Sequence, residues 1–364
     1  MKFLFLVQGE GRGHMIQALN LKKSLEEKGH TISKVLVGAR SLESLPSFFT
    51  KNITCPLEII TSPRFISDSE DQGVLLYKSA LLSCLELPAY IKSLKKIKKI
   101  IREEDPTAII SFYEPLAGLY FRLFKDTRPF FCIGHQYFMS HPIFNDYFKS
   151  MKEKMFFKIY NSFTSTKKAI KICLSFTKEK DIIEKNLYVC PPLIKDQIKK
   201  MSFNTVIENN DYFLVYILNR GYTKKLIAWN TNNLNFKLEA FRNSPDIIEE
   251  RINSSLIFYH LNNELFNYKL KNCQAYISTA GFDSIAEASY LGKKILMLPT
   301  KNHFEQYYNA IDASRAKIAV KATKIDLSLL LQDKNNSFSG IETYLKWCNE
   351  EENKIIDLIE KKCL

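Results

Sequence analysis

A glycine-rich stretch near the start of the chain, VQGEGRGHMIQAL (residues 7–19), places a histidine directly after three glycines. A strand-like apolar run precedes it and a helical pattern follows, which predicts that His14 lies in the first turn of a helix. The positive end of the helix dipole disfavours a charged imidazole there, and a general base must be neutral. His14 is therefore a candidate base, and a simple helix cap is the alternative. The glycine loop comprises Gly9, Gly11, Arg12 and Gly13.

The same stretch is a poor dinucleotide-binding loop. His14 stands where the GxGxxG fingerprint needs a third small residue. Glu10 would bring a negative charge against a pyrophosphate. A Rossmann-type cofactor site is therefore a poor explanation of this loop.

A second segment with chemical potential spans residues 278–310, STAGFDSIAEASYLGKKILMLPTKNHFEQYYNA. Gly281 follows a strand end, where it is expected to make the tight turn, and it opens a helix whose free amides could bind a diphosphate. Glu287, further along that helix, could accept hydrogen bonds from two vicinal ribose hydroxyls. At the next helix start Glu305, Gln306 and Asn309 are spaced to suit a polyhydroxylated ligand. Helix capping and ordinary surface polarity are the alternative for that group.

Taken together, the two parts of this segment resemble the donor-binding signature of GT-B glycosyltransferases. The family 28 enzymes, which include the N-acetylglucosaminyltransferase of the lipid-linked peptidoglycan precursor, are the most similar. The resemblance implies that Glu287 binds the nucleotide ribose and that Glu305 and Gln306 bind the donor sugar. The N-terminal loop is similar to the GxGxGH or GGxxGH turn of the same enzymes, on the acceptor side. The implied donor-binding residues are Arg220, Ala280, Gly281, Phe282, Ser284, Glu287, Glu305, Gln306 and Asn309.

Three positions depart from the family pattern or leave alternatives open. The first loop of the second half reads LNRGYT (218–223) rather than a Gly/Ser-rich sequence, so Arg220 could bind phosphate or be a surface arginine. Glu114 could orient His14, contact the acceptor, or cap the helix that begins at Pro115. His135 is a second acceptor-side candidate, although a structural role is more common for such a histidine.

The elements that would position these residues follow an alternating pattern. Short apolar runs alternate with helical stretches, which predicts parallel sheets covered on both faces. The pattern lapses after Pro191 and Pro192 and then restarts. We therefore expect an α/β protein of the GT-B fold, with two doubly wound Rossmann-like domains facing across a cleft. The predicted domains are 1–195 on the acceptor side and 196–340 for the nucleotide-sugar, with a C-terminal helix, 341–364, that could pack back on the first domain.

Composition limits the protein class. The 364 residues carry a formal charge of +13, and the eight cysteines have neither disulfide nor metal-ligand spacing. No cofactor, metal site or nucleic-acid motif is expected, and the location is predicted to be cytoplasmic. Much of the charge lies in KSLKKIKKIIREE (92–104), which reads as an amphipathic helix. Its basic face could be solvated or could contact the anionic inner face of the membrane.

The resemblance implies a metal-independent, inverting glycosyltransferase. It would move a sugar from a nucleotide-sugar, with UDP the favoured nucleotide, to a hydroxyl of a glycan or lipid-linked glycan. A hydrolase of the same fold would use water instead. A noncatalytic lipid-binding protein is a third hypothesis, and KSMKEKMFFKIYNSF (149–163) would be its lipid-binding segment. Core packing of those aromatic residues is the commoner explanation.

Overall fold

Short apolar runs alternate with helices through the first half of the chain, and each run forms a strand of one sheet. The computed structural model describes residues 1–64, 85–203, 211–217, 220–242, 248–332 and 336–364. Within these ranges the chain divides into two compact units. The first holds 1–64, 85–193 and 350–364, and the second lies within 194–349.

The sheet of the first unit has seven described strands in the order β3-β2-β1-β4-β5-β6-β7, and every neighbouring pair is parallel. β1 reads KFLFLVQ, and its residues 3–7 are fully buried. A parallel sheet covered on both faces requires such continuous apolar runs. The strands are β1 (Lys2–Gln8), β2 (Thr31–Gly38), β3 (Leu57–Ile60), β4 (Ala108–Phe112), β5 (Phe130–Ile133), β6 (Ile170–Leu174) and β7 (Leu187–Cys190).

Five α-helices of the described N-terminal part connect these strands. They are α1 (Gly13–Glu27), α2 (Ser47–Asn52), α3 (Leu87–Glu104), α4 (Pro115–Phe124) and α5 (Met151–Thr164). α3 is the predicted amphipathic basic helix, and it buries Leu94, Ile97, Ile100 and Ile101 between its lysines. Short 3-10 helices span His135–Ser140, Pro142–Tyr147 and Ile183–Lys185.

The sheet of the second unit has the order β10-β11-β9-β8-β12-β13-β14 in the described residues. Its strands are β8 (Tyr212–Tyr216), β9 (Lys237–Arg242), β10 (Glu249–Asn253), β11 (Leu256–His260), β12 (Ala275–Ser278), β13 (Lys294–Met297) and β14 (Val320–Lys321). All pairs are parallel except β10 with β11. The predicted pair of doubly wound Rossmann-like domains is thus confirmed. β10, with the polar sequence EERIN, was not predicted.

The helices of the second unit are α6 (Asp196–Phe203), α7 (Arg220–Thr231), α8 (Asn263–Asn272), α9 (Phe282–Tyr290), α10 (Phe304–Arg315), α11 (Ser328–Leu331) and α12 (Ile341–Glu350). The sequence predicts one long C-terminal helix, whereas the structure has two, α12 and α13 (Lys354–Cys363). α13 belongs to the first unit, where Glu360 Oε1 lies 2.8 Å from His30 Nε2. The helix is broken where the chain passes from the second unit to the first.

Candidate functional site

The strand order of the first unit reverses between β1 and β4, and the candidate residues follow the ends of these two strands. In open α/β sheets, ligands bind outside the carboxyl ends of the strands at such a switch point. The glycine loop follows β1, and Tyr113 and Glu114 follow β4. The fold therefore brings together two segments that are about a hundred residues apart in sequence.

The glycine loop packs directly against the end of β2. Gly9 N donates a hydrogen bond to Gly38 O at 3.1 Å, and a Cβ on Gly9 would collide with that oxygen. Gly11 has a left-handed backbone with φ of 73°. Arg12 precedes α1 and places its guanidinium 4.2 Å from the centre of the Phe48 ring. The described contact of Arg12 is thus with an aromatic ring of its own unit.

His14 is the second residue of α1, in the predicted first turn, and is only 6% exposed. Its ring stacks on Tyr113, with ring centres 5.6 Å apart and planes 25° apart. Its Nε2 lies 3.4 Å from Gln136 Nε2. The Gln136 side chain therefore contacts the imidazole, in addition to the Tyr113 ring that stacks on it.

A buried polar network holds both residues that contact His14. Tyr113 donates from its hydroxyl to Asn161 Oδ1 at 2.6 Å, and Asn161 Nδ2 donates to Gln136 O at 3.2 Å. Tyr113 also has a left-handed φ of 58°. A bulky residue in that region costs energy, and such strain is concentrated at functional sites. The network fixes the imidazole from two sides.

Gln136 was missed by the sequence analysis, which selected its neighbour His135. His135 is buried among the rings of Phe138 and Phe176, with centres 6.1 and 6.0 Å away. An amide residue carries no motif of its own. The available signal was position, because Gln136 follows β5, the strand next to β4.

Glu114 is fully buried and caps α4. Its Oε1 accepts hydrogen bonds from Ser62 Oγ and, at 3.1 Å, from Leu116 N. The absence of a side chain at Gly38 makes room for Oε2, with which a Cβ there would collide. The described hydrogen bonds of this carboxyl group are therefore to Ser62 and the helix amide. Its proposed orientation of His14 stays a prediction.

Burial raises the pKa of Glu114 to about 7, with a smaller contribution from the charge of Glu10, while the Ser62 and Leu116 hydrogen bonds lower it. Between pH 4.5 and about 7 the folded protein therefore keeps a proton on Glu114. The unfolded chain has already released this proton, because its glutamate has a pKa near 4.5. Unfolding free energy should therefore fall as pH rises through this range.

We expect the free energy of unfolding to fall by about 2–3 kcal/mol more in the native protein than in Glu114→Gln between pH 5 and pH 8. The glutamine keeps an oxygen for Ser62 but does not titrate. Denaturant unfolding of both proteins across this range measures the difference. Parallel stability curves would show that Glu114 is not protonated in the folded protein near neutral pH.

In the second unit the strand order reverses between β8 and β12, and the turn after β12 is strained. The sequence predicts the tight turn at Gly281. In the structure the left-handed residue is Ala280, with φ of 68°, while Gly281 has φ of −68°, which any residue adopts. That assignment is wrong by one residue. Gly281 is the N-cap residue of α9 and provides no side-chain cap for the first amides of this helix.

Asn309 supports this strained turn from α10. It is fully buried, and its Nδ2 donates to Ala280 O at 2.9 Å. The described role of Asn309 is thus to hold the turn. Ser284 Oγ donates to Gly281 O at 3.0 Å, and Phe282 is buried. These three side chains fix the N-terminus of α9 in place.

Two substitutions should separate the strained residue from its neighbour. Gly281→Ala should change the free energy of unfolding by less than about 1 kcal/mol, because its Cβ would meet only Ser284 Oγ at 3.4 Å. Ala280→Val should lower it by about 2–3 kcal/mol, because a β-branched residue fits poorly at positive φ and in a filled space. Denaturant titration of both variants tests the order. A larger loss of unfolding free energy in Gly281→Ala than in Ala280→Val would restore Gly281 as the residue that makes the tight turn.

Glu287 is 3% exposed and is paired with a lysine from the start of the second unit. Lys195 Nζ lies 2.9 Å from Glu287 Oε1 and 3.2 Å from Oε2. The carboxylate is therefore held in one orientation by a cation. No sequence motif marks Lys195, which lies 92 positions away along the chain.

The start of α10 carries the remaining candidates. Gln306 Oε1 accepts from Thr300 N at 2.8 Å and so fixes the loop after β13. His303 caps the helix by accepting from Gln306 N at 3.4 Å, and burial lowers the pKa of this histidine. Glu305 is half-buried in the first turn. The two predicted sugar-binding residues thus lie side by side at a helix start.

Arg220 is the first residue of α7, which follows β8. The preceding positions of the predicted phosphate loop, 218 and 219, lie outside the described residues. The phosphate-binding role of Arg220 stays a prediction.

None of the described helices is both long enough and apolar enough to cross a bilayer.

Comparison with solved structures identifies the fold. The Arabidopsis thaliana UGT89C1 complexed with UDP is 14% identical, covers 100% of both chains and has a TM-score of 0.65. The glycotransferase of kitacinnamycin is 12% identical over 99% of this chain and 98% of its own, with a TM-score of 0.64. Spinosyn forosaminyltransferase SpnP is 11% identical over 100% of this chain and 99% of its own, with a TM-score of 0.62. Two Rossmann-like domains matching these structures define the GT-B class.

The family follows from sequence. The model of glycosyl transferase family 1 matches residues 1–333, and the chain belongs to this family. It is therefore a glycosyltransferase. A search of curated protein sequences gives no match. The narrower resemblance to the family 28 enzymes is not confirmed by these matches.

Proposed function

We propose that the protein is a metal-independent, inverting glycosyltransferase that uses a UDP-sugar as donor. The observation that carries this proposal is His14, buried in the first turn of α1 and held between the Tyr113 ring and the Gln136 side chain. An imidazole held in place at the positive end of a helix dipole is suited to proton removal from a hydroxyl. The acceptor is a hydroxyl of a glycan or of a lipid-linked glycan.

The donor residues are assigned to the second unit. The amides at the N-terminus of α9 bind the diphosphate, with Arg220 as a further cation. Glu287 binds the ribose hydroxyls, and Glu305 and Gln306 bind the sugar. Support for UDP comes from UGT89C1, whose structures include complexes with UDP and with UDP-L-rhamnose. The closer likeness to family 28, and hence a lipid-linked acceptor, rests on the motif in residues 278–310.

The reaction is a single displacement. The imidazole of His14 takes the proton of the acceptor hydroxyl as the hydroxyl oxygen bonds to the anomeric carbon of the donor sugar. The bond from that carbon to the diphosphate oxygen breaks, and the configuration inverts. The negative charge that develops on the diphosphate is stabilised by the α9 amides. His14 then carries the proton as an imidazolium.

The location is proposed to be cytoplasmic, with peripheral contact at the inner face of the membrane. The seven described cysteines are unpaired, which is typical of a reducing compartment. The charge of +13 is suited to an anionic lipid surface.

A turnover assay tests the reaction. UDP-, GDP- and TDP-sugars are each incubated with the protein, with and without hydroxyl acceptors, and released nucleotide and free sugar are measured. We expect UDP release that depends on an acceptor. UDP and free sugar released at the same rate without acceptor would instead indicate the hydrolase, in which water replaces the acceptor. No release from any donor would contradict both reactions.

A further inference from the structure

Helix α5 exposes a row of apolar side chains to solvent. Met151, Met155, Ile159 and Phe163 are 76%, 58%, 51% and 40% exposed. Residues four apart lie on one side of a helix, so these four form a continuous line, here called the apolar stripe. The opposite side of α5 is buried at Glu153, Phe157, Asn161 and Thr164. The aromatic content of this segment is thus only partly explained by core packing.

The charges beside the apolar stripe are positive. Lys152 and Lys158 are exposed on α5. Glu153, the one acidic residue of this helix, is 8% exposed and accepts from Lys149 N at 3.0 Å. Its own N donates to Ser150 Oγ at 3.2 Å, so the carboxylate belongs to the helix cap. The charged side chains exposed on α5 beside the apolar stripe are therefore lysines.

The neighbouring helices extend this surface. α4 packs between α3 and α5 and exposes Leu123, which is 61% accessible. Lys98 of α3 lies 4.3 Å from the centre of the Phe124 ring of α4. α3 also exposes Lys92, Lys95 and Lys99. The basic face predicted from sequence therefore belongs to the same layer of helices as the apolar stripe.

We propose that the apolar stripe inserts into the headgroup boundary of an anionic membrane while the surrounding lysines contact the lipid phosphates. A helix with this arrangement binds lying in the plane of the interface. Charge complementarity selects the partner. A second copy of this chain, also at +13, would bring lysines against lysines, whereas an anionic bilayer neutralises them. The apolar stripe gives the proposed peripheral membrane contact a surface on the first unit, so it rests on that part of the proposed function and not on the proposed reaction.

Vesicle sedimentation of the full chain without substrate tests the surface. We expect binding to phosphatidylcholine vesicles that contain phosphatidylglycerol, weaker binding at higher salt, and none to phosphatidylcholine alone. The double variant Met155→Gln, Ile159→Asn should lower the partition coefficient by at least about tenfold. The matched control Ile183→Asn changes an apolar residue that is 59% exposed outside α5, and should bind as the native protein does.

Thermal unfolding of each variant shows that the substitutions leave the fold intact. Native-like vesicle binding by the double variant would overturn the assignment, as would equal binding to neutral vesicles. Light scattering of the native protein and of the double variant shows whether either forms a dimer. A dimer formed by the native protein and not by the double variant would assign the apolar stripe to contact with a second copy of this chain. Nucleotide affinity is measured in parallel. Absence of nucleotide binding would contradict the proposed donor site and would leave the assignment of the membrane surface unaffected.

Discussion

Replacement of His14 by alanine is expected to lower the rate of sugar transfer by about 10²–10⁴-fold while nucleotide affinity stays at the native level. The acceptor hydroxyl then has no positioned group to take its proton. The nucleotide is bound by the second unit in our proposal, so its affinity should not change. Single-turnover rates and nucleotide titration measure the two quantities separately.

The control for this substitution is Tyr113→Phe. It keeps the ring that stacks on His14 and removes only the hydroxyl that donates to Asn161. We expect a much smaller loss of rate, because the imidazole remains present and stacked. If His14→Ala retained more than about a tenth of the native rate, the base would have to be another group. If it lost nucleotide affinity as well, His14 would belong to donor binding.

Replacement of Glu287 by alanine should weaken UDP binding by about 10²–10⁴-fold. In our proposal two charge-assisted hydrogen bonds to the ribose hydroxyls are lost, each with a contribution of about 1.5–3 kcal/mol. Folding should survive, because Lys195 is partly solvent-exposed and can be hydrated when its partner is absent. Isothermal titration with UDP measures the change.

The exposed Glu342 of α12 offers a matched control in the same unit. Glu342→Ala should bind UDP as the native protein does. Native-like UDP affinity in Glu287→Ala would show that the carboxylate serves only the ion pair with Lys195. In that case the ribose assignment, which rests on the family resemblance, would be wrong.

The fold could be predicted from sequence because its strands are buried on both faces. Such strands need uninterrupted apolar runs, as in KFLFLVQ, and the runs are visible without any structure. β10 reads EERIN and pairs only at an edge, so no apolar run marks it. The C-terminal break between α12 and α13 was also missed, because the chain changes unit there without glycine or proline.

The candidate site was predictable only where a motif marks it. His14 and Glu287 stand at motif positions, and the structure places both at helices next to switch points. Gln136 and Lys195 were missed because each is defined by a partner far along the chain. The strained turn was assigned to Gly281 because positive φ is usually accommodated by glycine. Asn309 allows Ala280 to take that conformation, and this contact is not visible in sequence.

Gly38 shows that a residue of this site can be intolerant of mutation without touching a substrate. Its carbonyl anchors the glycine loop, and its missing side chain leaves the space that the Glu114 carboxylate fills. Any larger residue at the end of β2 would therefore collide with the Glu114 carboxylate, while the backbone carbonyl that anchors the loop would remain. In a substitution survey we expect this strand end to be as intolerant as the proposed base His14. A relative that has lost this glycine would need to accommodate the carboxylate in another way.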